Sequence, residues 1–278
     1  MTSLLHIAKT TPSDRIWIDP FCEELRKIGA LTLLEDGEAM SQTELTAHIR
    51  SCDILLTGWG SITIPTTIAE DPGSLGYVCN VTGTVQGSVP LEIIDAGIPV
   101  TNWGDAPAGR VVEGAFTLTL AYVKGLRERI QFIRTGGWKL PEGFYSGLIE
   151  GLSIGIYGFG YIGRRYVEML QRFNATVRIY DPFIENVPDW CQKVDSLEAL
   201  FDQSEVVAIH AGLTDETKGS VTAGLLAKLP QNGVIINTAR GAIIDQEALF
   251  AELRNGRLRA GLDVLDPDFL PPEHPARW

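Results

Sequence analysis

The chain has 278 residues, 45% hydrophobic and 21% charged, with a formal net charge of −12. These figures exclude a disulfide-stapled mini-domain and a generally disordered chain, and leave room for one large domain or two ordinary ones. The negative charge, most of it in the first 102 residues, repels polyanions, so no nucleic-acid partner is expected.

Short apolar runs alternate with helical patterns from the start. Leu4–Ala8 and Leu31–Leu34 read as strands around a Phe21–Ile28 helix. A Thr43–Ser51 helix precedes a buried strand at Asp53–Thr57, and further strands at Tyr77–Val81 and Pro99–Asn102 flank a Leu91–Ala96 helix. Such alternation predicts a parallel sheet covered on both faces. From Pro107, apolar residues recur at helical spacing from Val111 through Ile130, which predicts one long helix. A glycine- and aromatic-rich stretch around Gly136–Tyr145 reads as a loop or junction. Beyond it, strands are expected at Leu152–Tyr157, Val177–Tyr180, Val206–His210, Val234–Asn237 and Leu258–Val264. Helices are expected at Arg164–Phe173, Leu197–Phe201 and Gln246–Leu253.

No Cys-x-x-Cys occurs among Cys22, Cys52, Cys79 and Cys191, so no metal site is expected. No apolar run is long enough for a membrane span, and Met1–Ile7 lacks a basic flank, so neither a membrane partner nor secretion is expected. A reduced, cytoplasmic setting fits best.

The strongest motif is Gly158-Phe159-Gly160-Tyr161-Ile162-Gly163, with a strand before it, a helix after it, and Asp181 ending the next strand 18 residues past Gly163. Gly158 permits the tight turn, Gly160 lets a pyrophosphate approach the backbone, and Gly163 lets the helix pack on the sheet. The N–H groups of Tyr161 and Ile162 then face the phosphates at a helix N-terminus. A carboxylate at Asp181 suits ribose hydroxyls and repels a 2′-phosphate, so the cofactor expected is NAD rather than NADP. Arg240, in Asn237-Thr238-Ala239-Arg240-Gly241 at a strand's carboxyl end, is placed either to grip a carboxylate with two prongs or to form a surface ion pair.

With His210-Ala211-Gly212-Leu213-Thr214, Asp245, Ala248-Leu249, Gly261-Leu262-Asp263-Val264, Gly97–Asn102 and Val112-Glu113, these segments occur in an order that resembles the NAD-dependent D-2-hydroxyacid dehydrogenases. That group includes phosphoglycerate dehydrogenase, glyoxylate/hydroxypyruvate reductase and D-lactate dehydrogenase. The resemblance implies an α/β chain with two lobes. The first is a smaller flavodoxin-like substrate lobe (1–102). The second is a Rossmann-type, doubly wound parallel sheet binding NAD (103–278). It implies pyrophosphate contacts at Tyr161 and Ile162, a ribose contact at Asp181, and further cofactor contacts at His210, Ala211, Thr238, Ala239 and Asp263, the last to the nicotinamide carboxamide. It implies that Arg240 holds the carboxylate and carbonyl of a small 2-hydroxy or 2-oxo acid, and that the Val111–Arg129 helix builds a homodimer.

The sequence departs from the family pattern in three places. Asp268 stands where the family carries a catalytic glutamate. The substrate loop reads Val81-Thr82-Gly83-Thr84-Val85-Gln86-Gly87, so Thr82 and Gly83 become the expected carboxylate-binding positions. The family's catalytic histidine lies in a Thr-Pro-His segment beyond the Pro271–Pro275 match. This reading therefore expects the second lobe to stop before its last strand. His274, His6 and His48 are not taken as catalytic. The expected activity is hydride transfer between NAD(H) and a D-2-hydroxy acid or 2-oxo acid. The alternative is a catalytically impaired NAD(H)-binding protein, either a remnant or a redox-sensing partner binder.

Overall fold

The computed structural model describes residues 1–10, 17–138, 146–267 and 270–274. The chain divides into two compact units, Met1–Ala106 and Pro107–Trp278. Each contains one sheet whose ladders are all parallel.

The first unit contains β1 (Ser3–Ile7), α1 (Asp19–Ile28), β2 (Ala30–Leu34), α2 (Gln42–Arg50), β3 (Ile54–Thr57), α3 (Thr67–Glu70), β4 (Tyr77–Asn80), α4 (Leu91–Asp95) and β5 (Val100–Thr101). The strand order is β2-β1-β3-β4-β5, the flavodoxin-like order. The period of two along each strand divides the core. Leu5, Ile7 and Leu55 pack with Leu45 and Ile49 of α2 and Ile93 of α4. Leu4 and Leu56 pack with Cys22 and Leu25 of α1. Ser41 starts α2 with a capping box: its hydroxyl accepts from the Glu44 N–H while Glu44 accepts from the Ser41 N–H.

The second unit contains α5 (Ala108–Val123), α6 (Leu126–Arg134), β6 (Ser153–Tyr157), α7 (Tyr161–Gln171), β7 (Thr176–Tyr180), β8 (Cys191–Lys193), α8 (Leu197–Asp202), β9 (Val206–Ile209), α9 (Ala223–Leu226), β10 (Gly233–Asn237), α10 (Gln246–Arg254) and β11 (Leu258–Leu262). Its order is β11-β10-β9-β6-β7-β8. The chain runs outward from β6 to one edge, returns, and runs from β9 to the other, so the order reverses between β6 and β9. Both faces are covered. Ile154, Ile156, Val206, Ala208 and Ile236 pack with Phe116 of α5 and Tyr166, Val167 and Leu170 of α7. Tyr157, Val207, Ile209 and Ile235 pack with Phe201 of α8, Leu226 of α9 and Leu249 of α10. Burial on both faces explains why β9 and β10 read as unbroken apolar runs. Among the described residues no helix is long and apolar enough to cross a membrane, and no cluster of His, Cys, Asp and Glu is placed to hold a metal ion.

The long helix expected from Val111 to Ile130 is two helices. Lys124 ends α5 with its N–H on Leu120 O, and Gly125 turns the chain left-handed (φ 60°) before α6 begins. Glycine adopts this conformation at no steric cost, which is why it commonly follows a helix. The apolar spacing runs on across the break because α6 is itself amphipathic, which concealed the break from a periodicity reading. Strand β8 and the one-turn helices α3 and α9 were not anticipated; all are shorter than a periodicity window. Replacing Gly125 by alanine forces a side chain into the left-handed region and is expected to cost about 1–2 kcal/mol. A urea titration that leaves the G125A midpoint unchanged would contradict this.

Candidate dinucleotide and carboxylate site

The loop after β6 is held from three sides. Gly158 has φ 94°, and its N–H donates to Tyr180 O at 2.9 Å, at the end of β7. A Cβ on Gly158 would lie 2.5 Å from the Ala211 nitrogen, and one on Gly163 would lie 2.2 Å from the Gly158 carbonyl oxygen. Neither is tolerable, so the backbone after β6, the backbone after β9 and the first turn of α7 meet at a spacing that only glycine permits. Gly160 is different: a Cβ there meets nothing within 4 Å. Its side opens onto free space, where a ligand phosphate can come against the backbone. Gly160 precedes the first residue of α7 and no side chain caps that end. The N–H groups of Tyr161, Ile162 and Gly163 have no acceptor among the described residues, and the helix dipole adds positive potential there.

Asp181 faces this loop. Its carboxylate accepts from the Phe159 N–H at 2.7 Å and the Phe183 N–H at 2.9 Å. The acid expected to meet a ribose therefore also fixes the glycine turn, and each oxygen keeps lone pairs for further donors. Tyr161 is largely exposed and Ile162 is packed against the core.

His210 follows β9, with its ring 4.8 Å from that of Tyr166. The residue is partly exposed overall, but both ring nitrogens are shielded from solvent and lack hydrogen-bond partners. Burial pushes its pKa down to about 4, so the ring is neutral at physiological pH. Ala211 contributes backbone, crowded against Gly158.

The end of β10 is organised by Asn237, which is fully buried. Its side-chain oxygen accepts from the Ala239 N–H at 3.0 Å, its amide donates to Arg240 O at 2.9 Å, and its carbonyl accepts from the Asp263 N–H at 3.0 Å. One residue thus shapes the Thr238–Arg240 loop and joins it to the Asp263 turn. Gly241 presses on the backbone of Leu265 and Asp266, where a Cβ would come within 2.1 Å. Gln246 clamps Asp266 with two bonds, donating to its carbonyl at 2.7 Å and accepting from its N–H at 2.9 Å. Arg240 is exposed; Nη1 donates to Ala239 O at 2.7 Å, and the guanidinium has no acidic partner among the described residues. Of the two roles the sequence left open, the ion pair is not seen among the described residues. Thr238 has a buried hydroxyl with no partner, lining a cavity of about 530 Å³ with Asp263, Arg110 and Thr117. Asp268 lies outside the described residues.

In the first unit, Asn80 plays the same part. It is buried, accepts from the Thr57 hydroxyl at 3.0 Å, and donates to Thr82 O at 2.9 Å and Thr84 O at 3.0 Å. Asn102 holds Gly83 O at 2.6 Å. The N–H groups of Thr82, Gly83, Thr84 and Val85 donate to nothing among the described residues, which leaves a run of free amides along this loop.

Asn80, Asn237, Gly241 and Gln246 were not among the expected site residues. An asparagine closing an apolar strand just ahead of a loop was the available signal for the first two.

Two outcomes follow. Gly160→Ala is expected to melt like the parent yet weaken NADH binding at least tenfold, whereas Gly163→Ala loses stability as well; a fluorescence titration and a thermal melt separate them. For His210, the folded pKa near 4 lies below the unfolded value near 6.5. Stability from its neutral state is therefore whole above pH 6.5 and is lost as pH falls toward 4, on the order of 3 kcal/mol. His210→Gln should flatten that part of the stability–pH curve, and an unchanged acid slope would refute the assignment.

Residues 116–278 match the model of the D-isomer specific 2-hydroxyacid dehydrogenase NAD binding domain. The chain is 27% identical over 261 residues to a glyoxylate reductase of Korarchaeum cryptofilum, covering 88% of this chain and 75% of that one. It is 34% identical over 192 residues to a glyoxylate reductase of Thermofilum pendens, covering 66% of this chain and 56% of that one. The TT0316 protein of Thermus thermophilus superposes with a TM-score of 0.78 at 27% identity, over 99% of this chain and 86% of that one. The chain belongs to the D-isomer specific 2-hydroxyacid dehydrogenase family, and NAD is the cofactor of its second unit.

Proposed function

We propose that the chain interconverts a small D-2-hydroxy acid and its 2-oxo acid with NAD(H). The observation that carries this reading is Arg240: an exposed guanidinium without an acidic partner among the described residues, on a loop that Asn237 fixes to the Asp263 turn. The residues present fit the cofactor: Gly160 has an open side, and the Tyr161 and Ile162 amides and the Thr238 hydroxyl have no partner among the described residues. When bound, NAD(H) accepts or supplies hydride at the nicotinamide ring.

The chain's own residues bind and orient the reactants, while the proton that goes to the C2 oxygen as hydride reaches C2, or leaves it in the reverse direction, is carried by a proton-transfer group other than those named here. The amides of Tyr161 and Ile162 hold the pyrophosphate, Asp181 holds the ribose hydroxyls and turns away a 2′-phosphate, and Asp263 with Thr238 and Ala239 orients the nicotinamide end. Arg240 takes the substrate carboxylate with two parallel bonds and polarises the C2 oxygen. The free amides at Thr82 and Gly83 are the carboxylate-binding elements of the first unit. Asp268 supports the proton-transfer group in place of the family glutamate. His210, neutral and shielded, is not the proton donor.

The protein acts as a homodimer in the cytoplasm. The α5–α6 face supports the dimer with exposed Leu126, Ile130 and Ile133 beside a groove of about 690 Å³. Four unpaired cysteines support the reducing setting.

NADH oxidation followed at 340 nm with glyoxylate, hydroxypyruvate and pyruvate tests the reaction. Arg240→Ala should lower kcat/KM roughly 10²–10³-fold while NADH affinity stays unchanged. Tight NADH binding without turnover of any 2-oxo acid would replace this reading with that of a non-catalytic dinucleotide binder.

A further inference from the structure

Trp103 stands beside the free amides of the first unit, and Trp59 stands against Trp103. Trp103 lies against Gly83 so closely that a Cβ there would sit 2.7 Å from the indole nitrogen, and the Trp103 backbone N–H donates to Thr82 O at 3.3 Å. Trp59 meets Trp103 edge to face, with ring centroids 5.5 Å apart at 87°. Trp59 is 55% exposed, yet its backbone is firmly held. Gly58 N–H donates to the Ser61 hydroxyl at 2.7 Å, Ser61 N–H returns to Gly58 O at 3.2 Å, and Lys9 N–H donates to Gly60 O at 2.7 Å. A large apolar surface on a pinned turn is preorganised, so little ordering is needed when a ligand covers it.

We propose that Trp59 is a specificity-determining residue that selects 2-oxo and 2-hydroxy acids carrying an aromatic side chain. The inference rests on the proposed function and deepens it. The Thr82 and Gly83 amides take the carboxylate, the Trp103 indole forms the floor beside Gly83, and the open ring of Trp59 covers the side chain. Aromatic pairs gain from edge-to-face or offset contact beyond the area they bury, which a one- or two-carbon acid cannot exploit. The first unit is also poor in basic residues, which suits an apolar side chain better than a second charged group.

The test is calorimetric titration of D-3-phenyllactate and of glycolate into the NADH-saturated protein, where the hydroxy acid binds without reacting. Phenyllactate is expected to bind at least tenfold tighter. Trp59→Ala should remove most of that difference while moving glycolate less than twofold, and Trp59→Phe should keep most of it. Where turnover is measurable, kcat/KM for phenylpyruvate over glyoxylate should fall by the same factor in Trp59→Ala. Equal affinities for the two acids, or a Trp59→Ala variant weakened equally toward both, overturns this proposal and leaves the proposed function standing. Binding of NADH but of neither acid overturns the proposed function and this inference with it.

Discussion

The second unit depends on the near-contact of backbone with backbone at Gly158 and Gly163. No side chain fits at either, so the strand end, the loop after β9 and the first turn of α7 close to a distance that no other residue allows. The rest of the cofactor half follows from that spacing. It points unpartnered N–H groups of α7 outward at the place where the strand order reverses. It brings the Phe159 amide within reach of Asp181. It also puts His210 under cover against Tyr166, where protonation is costly. In an open α/β sheet this reversal is where the crevice forms, because connections leave it in opposite directions.

The two units share a second device. Asn80 and Asn237 each close a strand, and each is buried. Each directs its side-chain amide to the backbone of the loop that follows. A buried amide left unpaired would cost roughly 1–3 kcal/mol, so the loop conformation is tied to the stability of the strand beneath it. With loop carbonyls satisfied this way, the Gly83–Val85 amides of one unit have no acceptor among the described residues, and the Arg240 guanidinium of the other spends one donor on Ala239 O and has no acidic partner among them.

How much of this could be read beforehand depends on how local each constraint is. The Gly158–Gly163 turn facing Asp181 was legible because strand, turn, helix and acid follow one another in sequence, although only Gly163 answers to a steric demand within the motif: Gly158 answers to the Ala211 backbone and Gly160 to no protein atom. The core strands were legible because double-sided burial leaves unbroken apolar runs such as Val206–Ile209. The break at Gly125 was not, because two successive amphipathic helices continue one period across it. Gln246 was not, since its partner Asp266 is twenty residues away and the bonds are to backbone, which carries no sequence signature. The Trp59–Trp103 pair was hidden for the same reason: it joins the turn after β3 to the segment after β5.

The same geometry separates holding from proton transfer. The groups proposed to hold cofactor and substrate are backbone amides, carboxylates and a guanidinium. The one histidine assigned to this cluster, His210, is removed from the titration window by burial, with its pKa at about 4. A shift in the pH profile of a substrate-loop variant, without a shift in NADH or substrate affinity, would mark a change in how the acid is presented to its proton donor and not in how tightly it is held.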